Sequence, residues 1–305
     1  RNDGRAVSIA TIKGDITSAD LGLTAEIVAS AGPWDLVIHC AAVTDFTEES
    51  EKHRAVNVEG TKNVIDFAEC HGSALLHVST AYVCGEREGT IFEDELDCGQ
   101  TFSNGYEATK ARAEALVREG RVPFVIARPS IVLGDSETGA TRSFDTIYPV
   151  LKVLAEGLVT RMPVKPDATL NLVPIDHVTS GICELAERFE SAKGYAYHLV
   201  AEEATPLSAF PTTLSKFDGL SVPEWVGAEA FSLNDLNPLE RRFFERGAAV
   251  YASYFTRAPR FDDRRYRHLT GQSSAVTGPE WWEKLVSYAL ERGFIKRRGL
   301  GRRQA

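Results

Sequence analysis

What this chain can fold into is limited first by how its apolar segments alternate. Val7-Ser8-Ile9-Ala10-Thr11-Ile12 is β-branched, alternates, and stops at Lys13-Gly14-Asp15, which is the pattern of a strand. A short helix is predicted from Thr24, as N-cap, to Ala31, where Gly32-Pro33 ends it. Leu36-Val37-Ile38-His39-Cys40, Ala74-Leu75-Leu76-His77-Val78-Ser79 and Pro123-Phe124-Val125-Ile126-Ala127-Arg128 are nearly continuous apolar runs, suited to strands buried on both faces. Helical patterns separate them, over Glu49 to His71 and again after Asn104. Strand and helix alternating through short connections predict an α/β fold with a doubly wound parallel sheet. Ligands bind beyond the carboxyl ends of such strands, so the chemistry is expected just after each apolar run.

Those positions hold small and polar residues. Gly14-Asp15 follows the first run, His39-Cys40-Ala41-Ala42 the second, Ser79-Thr80-Ala81-Tyr82 the third, and Pro129-Ser130-Ile131-Val132-Leu133-Gly134 the fourth. Small residues let a flat cofactor approach the backbone, and an Asp can accept hydrogen bonds from adenine or ribose. Any one of these is a common strand-end turn; their succession is much less expected by chance.

Between the third and fourth runs lies Asn104-Gly105-Tyr106-Glu107-Ala108-Thr109-Lys110, followed by the strong helix former Ala111 to Leu116. Tyr106 and Lys110 stand at i and i+4, on one helical face. A free tyrosine titrates near about 10, and a neighbouring ammonium favours its phenolate. Such a pair can exchange a proton with a carbonyl or alcohol oxygen while hydride moves at carbon. The competing reading is a plain exposed helix that carries both residue types, and the company of the strand ends decides against it.

Composition excludes several classes. The chain has 305 residues, 43% of them hydrophobic and 25% charged, an ordinary balance for one large globular domain or two intimate ones. No apolar run approaches the ~18 residues of a membrane-spanning helix. Five cysteines, at 40, 70, 84, 98 and 183, form no C-x-x-C, which predicts a reduced, cytoplasmic setting. His39, His77, His177 and His198 show no metal-ligand spacing, so they read as structural and no metal is predicted. The net charge of −9 divides unevenly: residues 241–305 carry 15 Lys/Arg against 6 Asp/Glu. An acidic body with a basic end suggests an anionic partner there, such as a phosphate-bearing carrier or cofactor. It argues against nucleic acid, for which no reading module is present.

Taken together, these motifs resemble the extended short-chain dehydrogenase/reductases over about Val7 to Val200. Tyr106 and Lys110 match that family's Y-x-x-x-K, Thr80 in Val78-Ser79-Thr80-Ala81-Tyr82-Val83 its catalytic Ser/Thr, and Asn57 in Asn57-Val58-Glu59-Gly60-Thr61 its N-V-x-G-T helix. Asp15, with Ile16, matches the acidic residue beside the adenine. Cys40-Ala41-Ala42 matches the loop under the cofactor, and Ser79 with Pro129-Ser130-Ile131 the nicotinamide surroundings. Val173-Pro174-Ile175-Asp176-His177-Val178 resembles the segment that re-enters the sheet. Gly14-Asp15-Ile16-Thr17, Ile38-His39-Cys40-Ala41-Ala42 and Arg128-Pro129-Ser130-Ile131-Val132-Leu133-Gly134-Asp135-Ser136 are similar to thioester reductases and fatty acyl-CoA reductases. That resemblance implies NADPH, with NADH as the alternative, reducing an acyl thioester on CoA or a carrier protein to an aldehyde or alcohol. Thr80, Tyr106 and Lys110 would be catalytic, with Asn57 orienting Lys110. A nucleotide-sugar epimerase or dehydratase, a hydroxysteroid-type dehydrogenase, or a non-catalytic protein on the same fold are the alternatives.

The family's opening strand, glycine-rich turn and helix, which seat a pyrophosphate on a helix N-terminus, have no counterpart in this sequence. The sequence is then a fragment of a longer chain, the first expectation, or another chain supplies the unit, or cofactor binding has been lost; alone it is expected to bind NADPH weakly and to associate through an unpaired strand edge. By the same resemblance, residues 1–200 form the incomplete Rossmann-like core, with 136–170 contributing to a smaller, mostly helical substrate domain completed by 201–305. Helices are predicted over Ser143–Leu154, Leu239–Tyr254 and Pro279–Gly293. The aromatic stripe Phe243, Phe244, Tyr251, Tyr254 and Phe255 reads as core rather than as an acyl channel. The ending Lys296-Arg297-Arg298 with Arg302-Arg303 reads as a solvated tail.

Overall fold

A computed structural model describes residues 9–46 and 49–298. Its centre is a parallel sheet whose strands run in the order Leu36–His39, Ala74–Val78, Phe124–Pro129, Ala196–Leu199. The ladder sets Leu36 against Ala74, Leu75 against Phe124, and Ile126 against Ala196. Successive side chains then point to opposite faces. Leu75, Ile126 and Ala196 pack with Val64, Ile65, Ala68 and Val117 of the helices Gly60–His71 and Gly105–Glu119. Leu76, Val125, Ala127 and Leu199 pack on the other face with Val178 and Leu185 of the helix Ile175–Glu187. Both faces are covered, which is why these strands read as apolar runs and not as alternating ones.

Local signals placed most elements. Thr24 caps the helix Ala25–Ala31 by accepting from the Ile27 amide at 3.4 Å. Asn104 caps Gly105–Glu119 by accepting from the Glu107 amide at 2.9 Å, satisfying one of the first-turn amides a helix leaves open. The long pattern after Glu49 becomes a short helix Glu51–His53, a π-helical stretch Arg54–Glu59, and the helix Gly60–His71.

Four expectations are corrected. Val7 and Ser8 lie outside the described residues, and Ile9 to Ile12 form no strand. Ile9 is 87% exposed, because a strand is held by its ladder partner and no described segment pairs with this one. The helix predicted from Ser143 starts at Tyr148, since Thr146 takes a left-handed φ of 56° that no helix propagates through. The helix predicted over Leu239–Tyr254 is α-helical only over Pro238–Phe243, then π-helical and 3₁₀ to Phe255. Arg297 and Arg298 are tied down: Arg297 donates to the Asp218 carbonyl at 2.9 Å, and Arg298 Nε to the Glu156 carbonyl at 2.9 Å. Arg302 and Arg303 lie outside the described residues.

Leu172–Pro174, the predicted re-entry segment, pairs in parallel with Ile131–Leu133 beyond the main sheet, and the main sheet is rejoined at Ala196–Leu199. A further core gathers Tyr148, Leu151, Leu154, Met162, Phe210, Phe255, Trp282 and Val286 above the strand ends. Most of the aromatic stripe belongs to it, although Tyr254 also faces a cavity at the strand ends. All five cysteines are free. No helix among the described residues is long and apolar enough to cross a membrane, and among them no group of His, Cys, Asp or Glu is placed to hold a metal ion.

Candidate active site

The carboxyl ends of the strands open into a largely apolar cavity of about 480 Å³. Tyr106, Pro129, Ser130 and Ile131 line it, with Phe46, Tyr82 and Tyr254 as further aromatic walls. Tyr106 stands in the first turn of its helix and meets Phe46 edge to face, ring centroids 5.7 Å apart. Thr80 begins the 3₁₀ turn Ala81–Cys84, accepting from the Tyr82 amide at 3.2 Å and donating to the Pro129 carbonyl at 3.4 Å. Burial pushes the Tyr106 phenol up to about 12, against a hydrogen bond with the Thr80 side chain that lowers it. The direction is opposite to the lowering expected from a neighbouring ammonium, and the reason is desolvation of a phenol set against apolar walls.

Lys110 is 2% exposed and aims its Nζ into the sheet, 2.8 Å from the Val78 carbonyl and 3.2 Å from His77 Nε2. Burial lowers its pKa to about 8, against the opposing charge of Glu114. Glu114 itself is buried, and Arg128 and Arg118 hold its carboxyl below the usual range in spite of that burial. The Arg128–Glu114 pair, 2.6 Å apart with both side chains buried, fixes the helix to the strand that ends at Pro129. His77, read as structural from the sequence, is therefore a direct neighbour of Lys110. Burial keeps it neutral, well below 6.5.

Asn57 is 1% exposed and ties three parts of the site together. Its Oδ1 accepts from the Val43 amide at 2.7 Å, and its Nδ2 donates to the Val43 carbonyl at 3.0 Å and to Thr109 Oγ1 at 2.9 Å. The loop that begins Cys40-Ala41-Ala42 is so joined to the residue beside Lys110. Asn57 lies in the π-helical stretch, which lets its side chain leave the regular helical row. Its own carbonyl accepts from Thr61 Oγ1 at 2.7 Å. On the far flank, Asp15 Oδ1 accepts from Thr17 N and Oγ1 at 2.9 and 2.7 Å, and the Ile16 carbonyl accepts from Asn63 Nδ2 at 2.8 Å. The sequence-predicted residues thus fall into two groups: Thr80, Tyr106, Lys110, Asn57, Ser79 and Pro129-Ser130-Ile131 at the cavity end, and Asp15 and Ile16 beside Gly60.

The nicotinamide end of a dinucleotide fits what is present. Ser79 Oγ is buried without a hydrogen-bond partner at the end of its strand, and Cys40 and Ala41 beside it are small and exposed. Among the described residues no glycine-rich strand-to-helix turn offers a seat for the pyrophosphate.

Sequence reasoning missed a layer of this site. Glu107, one residue past Tyr106, is fully buried and accepts from the Tyr254 hydroxyl at 2.7 Å and from Arg257. Tyr254 sat in the aromatic stripe, but nothing in the sequence joins positions 107, 254 and 257.

The fold is that of an extended short-chain dehydrogenase/reductase, a class of NAD(P)-dependent oxidoreductases. Residues 4–182 match the NAD-binding male sterility protein family, and the chain belongs to that family. It is 28% identical over 267 residues to the non-canonical nonribosomal peptide synthetase FrzA of a Cladobotryum species, covering 80% of this chain and 26% of that protein. It is 23% identical over 261 residues to probable fatty acyl-CoA reductase 5 of Arabidopsis thaliana, covering 66% of this chain and 53% of that one. Among solved structures, the terminal R domain of the myxalamid PKS-NRPS biosynthetic pathway superposes with a TM-score of 0.80 at 27% identity, covering 94% of this chain and 76% of that one. The chain thus spans about a quarter of the FrzA synthetase and about half of the plant reductase.

Proposed function

We propose that this chain carries out the NADPH-dependent reduction of an acyl thioester, on CoA or on a carrier protein, to an aldehyde or alcohol. The single observation that supports this most is the Tyr106 phenol lining a largely apolar cavity with the Thr80 side chain hydrogen-bonded to it, Lys110 lying buried one turn along the same helix. Such walls suit an acyl chain, whereas a nucleotide sugar needs many polar partners.

A bound NADPH would supply the hydride. The Thr80 hydroxyl and Tyr106 phenol hydrogen-bond the substrate's carbonyl oxygen and stabilise the charge that develops there. Burial holds the phenol protonated at neutral pH, so Tyr106 gives its proton to that oxygen. The hemithioacetal then collapses to an aldehyde and a free thiol. Lys110, cationic below about 8, compensates the phenolate left behind and holds the nicotinamide ribose. Asn57 fixes the Lys110 turn through Thr109. Asp15 and Ile16 would border the adenine, and Cys40, Ala41 and Ala42 would lie under the cofactor. The supporting comparisons are those with the FrzA synthetase, the plant reductase and the myxalamid R domain.

The test is NADPH oxidation by the full-length protein, followed with free thiol release: one NADPH per thiol for an aldehyde product, two for an alcohol. Acyl-CoA or acyl-carrier thioesters should drive it, and nucleotide sugars and hydroxysteroids should not. Turnover of a nucleotide sugar without thioester activity would move the protein to the epimerase or dehydratase class.

A further inference from the structure

Two walls of the cavity come from parts of the chain about 150 residues apart, and one buried ion pair joins them. Glu107 lies in the first turn of the helix that carries Tyr106, and its side chain is fully buried. Arg257 follows the 3₁₀ segment that ends at Phe255, and its side chain is 5% exposed. Its guanidinium meets Glu107 Oε1 and also donates to the Gly85 carbonyl at 2.6 Å, just past the turn that begins at Thr80. The same guanidinium lies over the rings of Tyr254 and Tyr82, 4.3 and 5.2 Å from their centroids. Tyr254 donates to Glu107 at 2.7 Å and accepts from Asn104 Nδ2 at 3.1 Å. Asn104 is the residue that caps the Tyr106 helix. The Ser103 amide completes the set, donating to Glu107 Oε2 at 3.2 Å.

We infer that Glu107 and Arg257 are the positioning pair of this active site: they lock the cap and first turn beneath Tyr106 to the aromatic wall of the cavity. The inference rests on the reading of Tyr106 as proton donor. Neither residue lines the cavity, so their effect acts through Tyr106, Tyr82 and Tyr254. A carboxylate and a guanidinium with almost no solvent around them are held by each other, and removing one strands the other. Substituting both together relieves that penalty but replaces the charged anchor of Tyr254 by a neutral amide and takes the guanidinium from the Gly85 carbonyl, and a misplacement of about 1 Å at a reacting group is enough to slow chemistry.

The experiment compares Glu107→Gln, Arg257→Met and the double variant in the full-length protein. Each single variant should lose thermal stability and turnover. The double variant should regain most of the stability while kcat stays roughly ten- to a hundredfold down, with KM for the thioester within about a factor of two. Arg257→Lys, which keeps the charge, should recover part of kcat. A double variant with wild-type kcat would overturn the inference and leave the pair a packing feature. Hydrogen exchange at the Glu107 amide, which Asn104 holds, is the arm that needs no substrate. It should quicken at least about tenfold in the double variant while the Val125 and Ile126 amides are unchanged. Failure of the wild-type protein to reduce any thioester, with that local quickening present, would count against the proposed substrate and not against the pair; unchanged exchange would overturn the pair itself.

Discussion

Lys110 sits 3.2 Å from His77 Nε2 and also donates to the Val78 carbonyl at 2.8 Å. The ammonium is thus solvated by the end of a strand and an uncharged imidazole in place of water, and that exchange brings its pKa to about 8. The proposed mechanism uses this group as a cation, so kcat/KM should fall as pH rises through about 8. Lys110→Arg, whose charge persists, should move that limb to higher pH, as a pH profile would register. The linkage to stability runs the other way. Between about 8 and the ordinary lysine value near 10.4 the unfolded chain holds a proton that the folded chain has released, so Lys110 makes stability rise with pH across that window.

Acid should unfold this protein from a higher pH than its carboxylates alone would give. Burial brings both His39 and His198 down to about 3, and His77 well below 6.5. An imidazole with a depressed folded pKa gives stability that is present above about 6.5 and is lost as pH falls below it, because the unfolded chain binds the proton first. Glu93 opposes this: burial raises it to about 7, so its contribution is present below about 4.5 and lost as pH rises through 7. Three imidazoles outweigh one carboxyl. Urea midpoints measured at pH 7, 5.5 and 4.5 should decrease in that order, and a flat series would refute the account.

Tyr106→Phe should reduce thioester turnover by at least about a hundredfold with NADPH affinity changed little, since only the proton donor is removed. Thr80→Ala should cost less, because a positioning hydrogen bond goes and the donor stays. Steady-state rates and calorimetric cofactor titrations read the two effects separately. Equal losses at both positions would mean that the pair acts as one unit.

Asn57→Ala should destabilise the fold as well as slow it. The change strands the Val43 amide and carbonyl, while the Thr109 hydroxyl keeps the Gly105 carbonyl, an effect of about 2 kcal/mol for buried polar groups left unpaired. Denaturant titration should show a shifted midpoint with an unchanged slope. Asn57→Asp keeps the acceptor toward the Val43 amide and should recover part of the loss.

Gly85→Ala should be among the most damaging small substitutions. Gly85 has φ 60°, and an added Cβ would stand 2.0 Å from the Thr101 carbonyl oxygen. A left-handed backbone and a clash with main chain both act there, for a loss of more than ~2 kcal/mol. The Gly85 carbonyl also receives Arg257, so turnover should fall along with the melting temperature. Gly72→Ala, in the left-handed helical region at φ 65° with open space around it, should cost clearly less.

The sequence by itself determined the sheet and which residues stand at its strand ends. Buried runs such as Leu75-Leu76 and Val125-Ile126 are apolar on both faces because helices cover both. Tyr106 and Lys110 share a helical face by spacing, and Asn104 announces its helix by capping it. These are short-range facts, set by side-chain periodicity and by a backbone's need for partners within a few residues. Contacts between distant parts of the chain were decided only by the tertiary structure. It decided that Ile9–Ile12 stays unpaired, because a strand depends on a partner elsewhere in the chain. It also decided that desolvation, and not the Lys110 charge, governs the Tyr106 phenol. The meeting of Glu107 with Tyr254 and Arg257 belongs there as well, since burial and ion pairing across 150 residues of chain leave no periodic trace in the sequence that produces them.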